Sequence, residues 1–191
     1  SSEVYGRIAG ERYSAHTPMN PITPYGAAKA AADLLVAGWR ETWPGLHASV
    51  VRFSNLYGPG QRPYRNASVV VRFALAATRG EAMTIYGDGE QERDFLFGGD
   101  AAEAVAALAE LPEAPARPVL ASTGCGTRIA VIAALVAATA GIRANIVRLP
   151  PREVPDQSRI VGEPSTIAGW DGPRTAIVDG IAQTIAWARE F

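Results

Sequence analysis

Apolar residues recur at helical spacing in five stretches of this chain, separated by shorter β-branched runs and Gly/Pro turns. After "PITP", the stretch "YGAAKAAADLLVAGWRET" predicts a helix over about 25–42. Pro24 stands at its start, where a missing N–H costs nothing, and "WPG" ends it. "HASVVRFSNLYGPGQ" (47–61) reads as one buried strand with a loop at its carboxyl end. "NASVVVRFALAATRG" (66–80) predicts a helix with Gly80 just past its end. "AMTIYGDG" and "RDFLF" are short strands, and "GDAAEAVAALAEL" is a helix. "RPVLASTGCG" is a strand and turn, "TRIAVIAALVAATAG" a helix, and "RANIVRLP" a strand. "PSTIAGW" (164–170) reads as a short helix with Ser165 near its start, and "TAIVDGIAQTIAWAREF" as an amphipathic closing helix. Strands alternating with helices give an α/β chain with at least partly parallel pairing.

Composition narrows the functional classes. An apolar share of 48% and a charged share of 19% suit a globular core, and a net charge of −1 offers no surface for nucleic acid or membrane. The run "IAVIAALVAATAGI" (129–142) is too short to span a bilayer and reads as a buried helix. A single cysteine, Cys125, allows no internal disulfide, so a reducing cytoplasm is the expected compartment. His16 and His47 have no partners at metal or triad spacing, and no metal site is expected. In "GDGEQ", Asp88 and Glu90 look like turn chemistry.

One feature of the basic residues stands out. The chain has 17 arginines and one lysine, Lys29, four residues after Tyr25. On a helix the two share a face. A phenol is a poor base at neutral pH, and a neighbouring ammonium favours its phenolate. Lysine suits that position better than arginine because its charge is compact and its amine can also bond ribose hydroxyls. Alone, Y-x-x-x-K is a weak signal.

The surrounding segments make it specific. "SSEVYG" (1–6), "NPITPYGAAK" (20–29), "VRFSNLYGPGQ" (51–61), "IYGDGEQERDF" (85–95), "PPREVP" (150–155) and "AGWDGPRTAIVDGIAQTIAW" follow one another in order. This set resembles the extended short-chain dehydrogenases/reductases, in particular the nucleotide-sugar epimerases and dehydratases. The resemblance implies the C-terminal part of a Rossmann-type doubly wound parallel sheet plus a smaller α/β substrate-binding domain. Residues 1–60 would be the remnant of the dinucleotide-binding domain. Residues 61–191 would mainly bind the nucleotide sugar, with 116–124 returning to the Rossmann sheet. The family's glycine fingerprint for NAD, upstream of its "SSxVYG" segment, has no counterpart in these residues, so the chain is expected to correspond to the C-terminal portion of such an enzyme.

By position, the resemblance makes Tyr25 the acid/base, Lys29 its activator and ribose anchor, and Ser1 the hydrogen-bond partner of the reacting hydroxyl. Glu3 matches a glutamate used by dehydratases and decarboxylases. Phe53 and Ser54 would pass near the nicotinamide. Asn55, Tyr86, Arg93 and Arg152 would hold the substrate's diphosphate and nucleotide. The implied cofactor is NAD, with NADP also open, and the implied partner is a nucleotide-diphosphate sugar. A homodimer through the helix bearing Tyr25 and Lys29 is expected from the same source. The implied reaction is 4-epimerisation through a transient 4-keto sugar. A 4,6-dehydratase or a UDP-glucuronate decarboxylase-like enzyme is the alternative, and a non-catalytic fragment keeping a sugar-nucleotide site is a second.

Overall fold

The computed structural model describes residues 1–8, 10, 12–62, 67–151 and 159–191. The first long helix, α1 (Pro24–Thr42), begins where the pattern placed it. Pro24 occupies its first turn, and the Thr23 hydroxyl accepts the Gly26 N–H at 3.0 Å. Helix α2 (Val69–Arg79) is capped by the Ser68 hydroxyl and ends at Gly80 with φ of 70°. Helix α3 covers Gly98–Glu110, α4 (Ile129–Ala140) ends at Gly141, also at φ of 70°, and α5 covers Ile177–Ala188. Both glycines take the left-handed conformation that closes a helix without a Cβ clash.

The strands pair almost entirely in parallel. β1 (Arg12–Tyr13) pairs with β9 (Arg159–Gly162), β9 with β5 (Glu92–Phe97), and β5 with β3 (Asn55–Tyr57). β2 (Val51–Phe53) pairs with β6 (Val119–Ala121), and β4 (Met83–Tyr86) with β8 (Ile146–Leu149). Among the described strands the exception is β7 (Gly126–Arg128), antiparallel to β5. Parallel strands linked through helices make this an α/β fold of Rossmann type.

Three expectations need correction. The single strand expected over 47–57 is two: up to Phe53 the chain pairs with β6, Ser54 donates its N–H to Ala121 O at 3.2 Å, and from Asn55 the partner becomes β5. Residues 164–170 form no helix. Ser165 instead bonds the Leu120 backbone twice, and Ile167 and Trp170 close a turn around Gly169. Seven residues with an internal glycine and a better partner on β6 cannot sustain a helical nucleus. Finally, Thr127 and Arg128 belong to β7, not to the helix that follows; β1 and β9 carried no readable pattern at all.

Among the described residues, three apolar cores result. Helices α2, α4 and α5 pack over β3, β4 and β5 through Phe73, Ile132, Val136, Ile181, Ile185 and Met83. A second core puts α3 against β6, with Leu96, Leu108, Ile167 and Trp170. A third, small one, Val4, Tyr5, Tyr13, Ala30 and Leu120, lies beneath α1. Among the described residues, no helix is long and apolar enough to cross a membrane.

Candidate functional site

A cleft of about 1060 Å³ opens at the carboxyl end of β2, between the start of α1 and the start of α2. Parallel α/β sheets place ligands in such crevices. One wall comes from the first residues of the chain. Ser2–Val4 form a short 3-10 turn, in which the Ser1 hydroxyl accepts the Glu3 N–H at 3.3 Å. Helix α1 sits almost in backbone contact with this turn: a Cβ built on Gly26 would meet Glu3 O at 2.5 Å. Ser1, Glu3 and Tyr25 therefore line the same wall.

Tyr25 is 56% exposed. The Lys29 ammonium lies 5.5 Å from its ring centroid, the spacing of a cation–π pair. Lys29 is itself exposed and stands behind the tyrosine, outside the cleft lining. The floor is the crossover from β2 to β3, with Phe53, Ser54 and Asn55. The buried Ser54 hydroxyl has no hydrogen-bond partner among the described residues. Asn55 is partly committed, since its amide Nδ2 donates to Asp94 O at 3.0 Å.

Tyr86, at the end of β4, and Arg93, on β5, form the far wall. Arg93 donates one guanidinium N–H to Glu92 O at 2.6 Å. Arg152 lies outside the described residues. The structure thus brings together Ser1, Glu3, Tyr25, Phe53, Ser54, Asn55, Tyr86 and Arg93, segments far apart in sequence. It also adds residues that sequence reasoning missed. Arg72, in the first turn of α2, and Gln61, which accepts the Ser68 N–H at 2.9 Å, share the lining. A charged residue inside the apolar run "VVVRFALAA" was the available signal for Arg72.

Asp94 holds this floor in place from behind. Its carboxylate accepts from Thr123 Oγ1 at 2.8 Å, Gly124 N at 2.9 Å, Thr123 N at 3.0 Å and Gly162 N at 3.3 Å. The expected turn role of Asp88 is visible too: its side chain accepts the Glu90 N–H at 3.0 Å.

Comparison with known proteins gives a consistent picture. Residues 1–120 match the NAD dependent epimerase/dehydratase family. A dTDP-glucose 4,6-dehydratase from Streptomyces niveus is 31% identical over the whole chain, which covers 56% of that protein. The UDP-glucose 4-epimerase of Thermotoga maritima, solved with UDP-glucose, superposes with a TM-score of 0.88 at 28% identity over 99% of this chain and 61% of its own. The Thermus thermophilus UDP-glucose 4-epimerase, solved with NAD, gives 0.86 at 32% identity over 97% of this chain and 60% of its own. The chain spans a little over half the length of these relatives.

Proposed function

The chain belongs to the NAD dependent epimerase/dehydratase family, and from that premise we propose that the protein oxidises a nucleotide-diphosphate sugar reversibly at a ring hydroxyl and returns it as the 4-epimer. The observation that carries this reading is one wall of the cleft, where Tyr25, backed by the Lys29 ammonium, meets Ser1 and Glu3. The Tyr25 oxygen exchanges a proton with the sugar hydroxyl, and the Ser1 hydroxyl bonds the same sugar oxygen. The Lys29 charge stabilises the negative charge that passes between phenol and sugar.

Across the cleft, Arg93 and Asn55 face the diphosphate, and Tyr86 the nucleoside. Arginine suits that position because its fork bonds phosphate oxygens in pairs. The nicotinamide end of NAD fits the orphaned Ser54 hydroxyl beside Phe53, and Lys29 is assigned to the ribose by resemblance alone. When bound, NAD supplies reversible hydride exchange at the sugar carbon. Arg152 is assigned to the nucleotide by resemblance alone.

A second reading has a specific observation behind it. The Glu3 carboxylate lines the cleft beside Tyr25, where it could take the proton that a 4,6-dehydratase or decarboxylase must move next. Under both readings the expected compartment stays the reducing cytoplasm inferred from the single cysteine. Both also fit a homodimer built on α1, where Leu34, Leu35 and Trp39, with Trp43 just past the helix end, are exposed.

Product analysis separates the readings. The full-length gene product is incubated with NAD and UDP-glucose, UDP-glucuronate or dTDP-glucose. A 4-epimer supports the first reading, and a 4-keto-6-deoxy sugar or release of carbon dioxide the second. Under either, Tyr25→Phe is expected to lower kcat by about a hundredfold or more, with substrate affinity little changed. An unaltered rate removes Tyr25 from the chemistry.

A further inference from the structure

Beneath one side of the cleft, a single arginine of β2 links two of the segments that line it, α1 and the turn at the start of the chain. Strand alternation turns Arg52 away from the Phe53 side of β2 and under α1. The residue is 4% exposed. Its Nε donates to Asp33 Oδ2 of α1 at 2.8 Å, and its Nη1 donates to the Tyr5 hydroxyl at 3.1 Å. Its guanidinium carbon lies 5.1 Å from the Tyr5 ring centroid, and that ring stacks on Tyr13 at 4.8 Å.

Each contact is a short step from the proposed chemistry. Arg52 immediately precedes Phe53, and Tyr5 follows Glu3 by two residues. Asp33 is one helical turn past Lys29 and about 12 Å along the axis from Tyr25. We propose that Arg52 is a positioning residue: its forked guanidinium fixes the roll and axial slide of α1 against the Ser1–Glu3 turn, and so sets where the Tyr25 oxygen stands. The proposal rests on the reading of Tyr25 as the acid/base.

The physics separates position from stability. A buried ion pair contributes little net stability, because desolvation offsets its attraction, and apolar residues of similar volume often replace one without loss. Apolar side chains fill the same volume without direction, however. Two hydrogen bonds from one planar group hold an angle as well as a distance. If Arg52 served only to fill and stabilise, an apolar pair would do as well.

The test uses the full-length gene product with NAD. The double variant Arg52→Met with Asp33→Leu is expected to unfold cooperatively, with a midpoint lowered only by the orphaned Tyr5 hydroxyl, while kcat falls about tenfold to a hundredfold. Its KM should stay within about twofold. Hydrogen exchange should rise in residues 1–6 and 24–33 and stay unchanged in α4. A folded double variant with wild-type kcat overturns the proposal, and so does a fall in kcat that only follows the folded fraction. Should the double variant fail to fold, Tyr5→Phe decides by the same criteria, since it removes one acceptor and keeps the stacked ring. Tyr25→Phe, run in parallel, tells the two ideas apart. Its full activity would remove the acid/base reading, whereas its inactivity beside an unimpaired Arg52 variant would remove the positioning role alone.

Discussion

Gly26 shows how much a single hydrogen atom in place of a methyl group can decide. It lies between Tyr25 and the helix body, with Glu3 O where a Cβ would have to go. Gly26→Ala would gain helix propensity of about 1 kcal/mol, yet a carbonyl of the neighbouring turn would have to move away. The net expectation is a loss of about 1–2 kcal/mol in thermal unfolding. A drop in kcat should accompany it, because Glu3 and Ser1 shift with that carbonyl. A variant as stable and active as the parent would show that the helix and the turn are not in fixed contact. Lys29 makes the complementary point. Its isolation among arginines was visible in the sequence, and the structure sets its charge against the Tyr25 ring.

At the scale of elements, the crossover from β2 to β3 depends on a carboxylate that no pattern marked. Asp94 is fully buried, and three backbone N–H groups and one hydroxyl converge on it, tying β5 to the loop after β6 and to the end of β9. Asp94→Asn keeps the shape but sets an amide N–H₂ against donors. A stability loss of about 3 kcal/mol is expected in denaturant unfolding, since hydrogen bonds to charge are the stronger kind. A change of a few tenths would mean that the loop holds itself. The helices were legible from their long Ala-rich apolar periodicity, and three of them also carry local punctuation: Thr23 and Pro24 at α1, Ser68 and Gly80 at α2, and Gly141 after α4. The two- to four-residue strands β1, β7 and β9 were not, because nothing local sets them apart; β7 and β9 become strands only when β5 lies alongside, and β1 only when β9 does.

Across the whole molecule, the buried phenols couple stability to alkaline pH. Burial pushes Tyr5, Tyr13 and Tyr57 up from the ordinary phenol value. Asp94 adds to the effect at Tyr13, and Asp100 and Asp179 add to it at Tyr57, while the Arg52 hydrogen bond opposes it at Tyr5. A raised folded-state value means that the unfolded chain loses its phenolic protons first. Below about pH 10 both states are protonated and stability is complete; above it, stability is expected to fall as pH rises. Circular dichroism and tyrosinate absorbance, followed together through an alkaline titration, should show part of the tyrosinate signal appearing only as the fold is lost. Full ionisation of every tyrosine in a still-folded protein would contradict this account.

Sequence alone determined the five long helices and the α/β class, because apolar periodicity is local and survives in one dimension, and its ordered motifs supplied the candidate site residues. Eight of the expected site residues line a single cleft in the structure. Only the tertiary structure decided that one apparent strand serves two sheets, that Arg72 joins the lining, and that Arg52, Asp33 and Tyr5 meet under α1. Those are pairings between residues distant along the chain. Their energies come from burial and from directed hydrogen bonds, which exist only once the elements have packed.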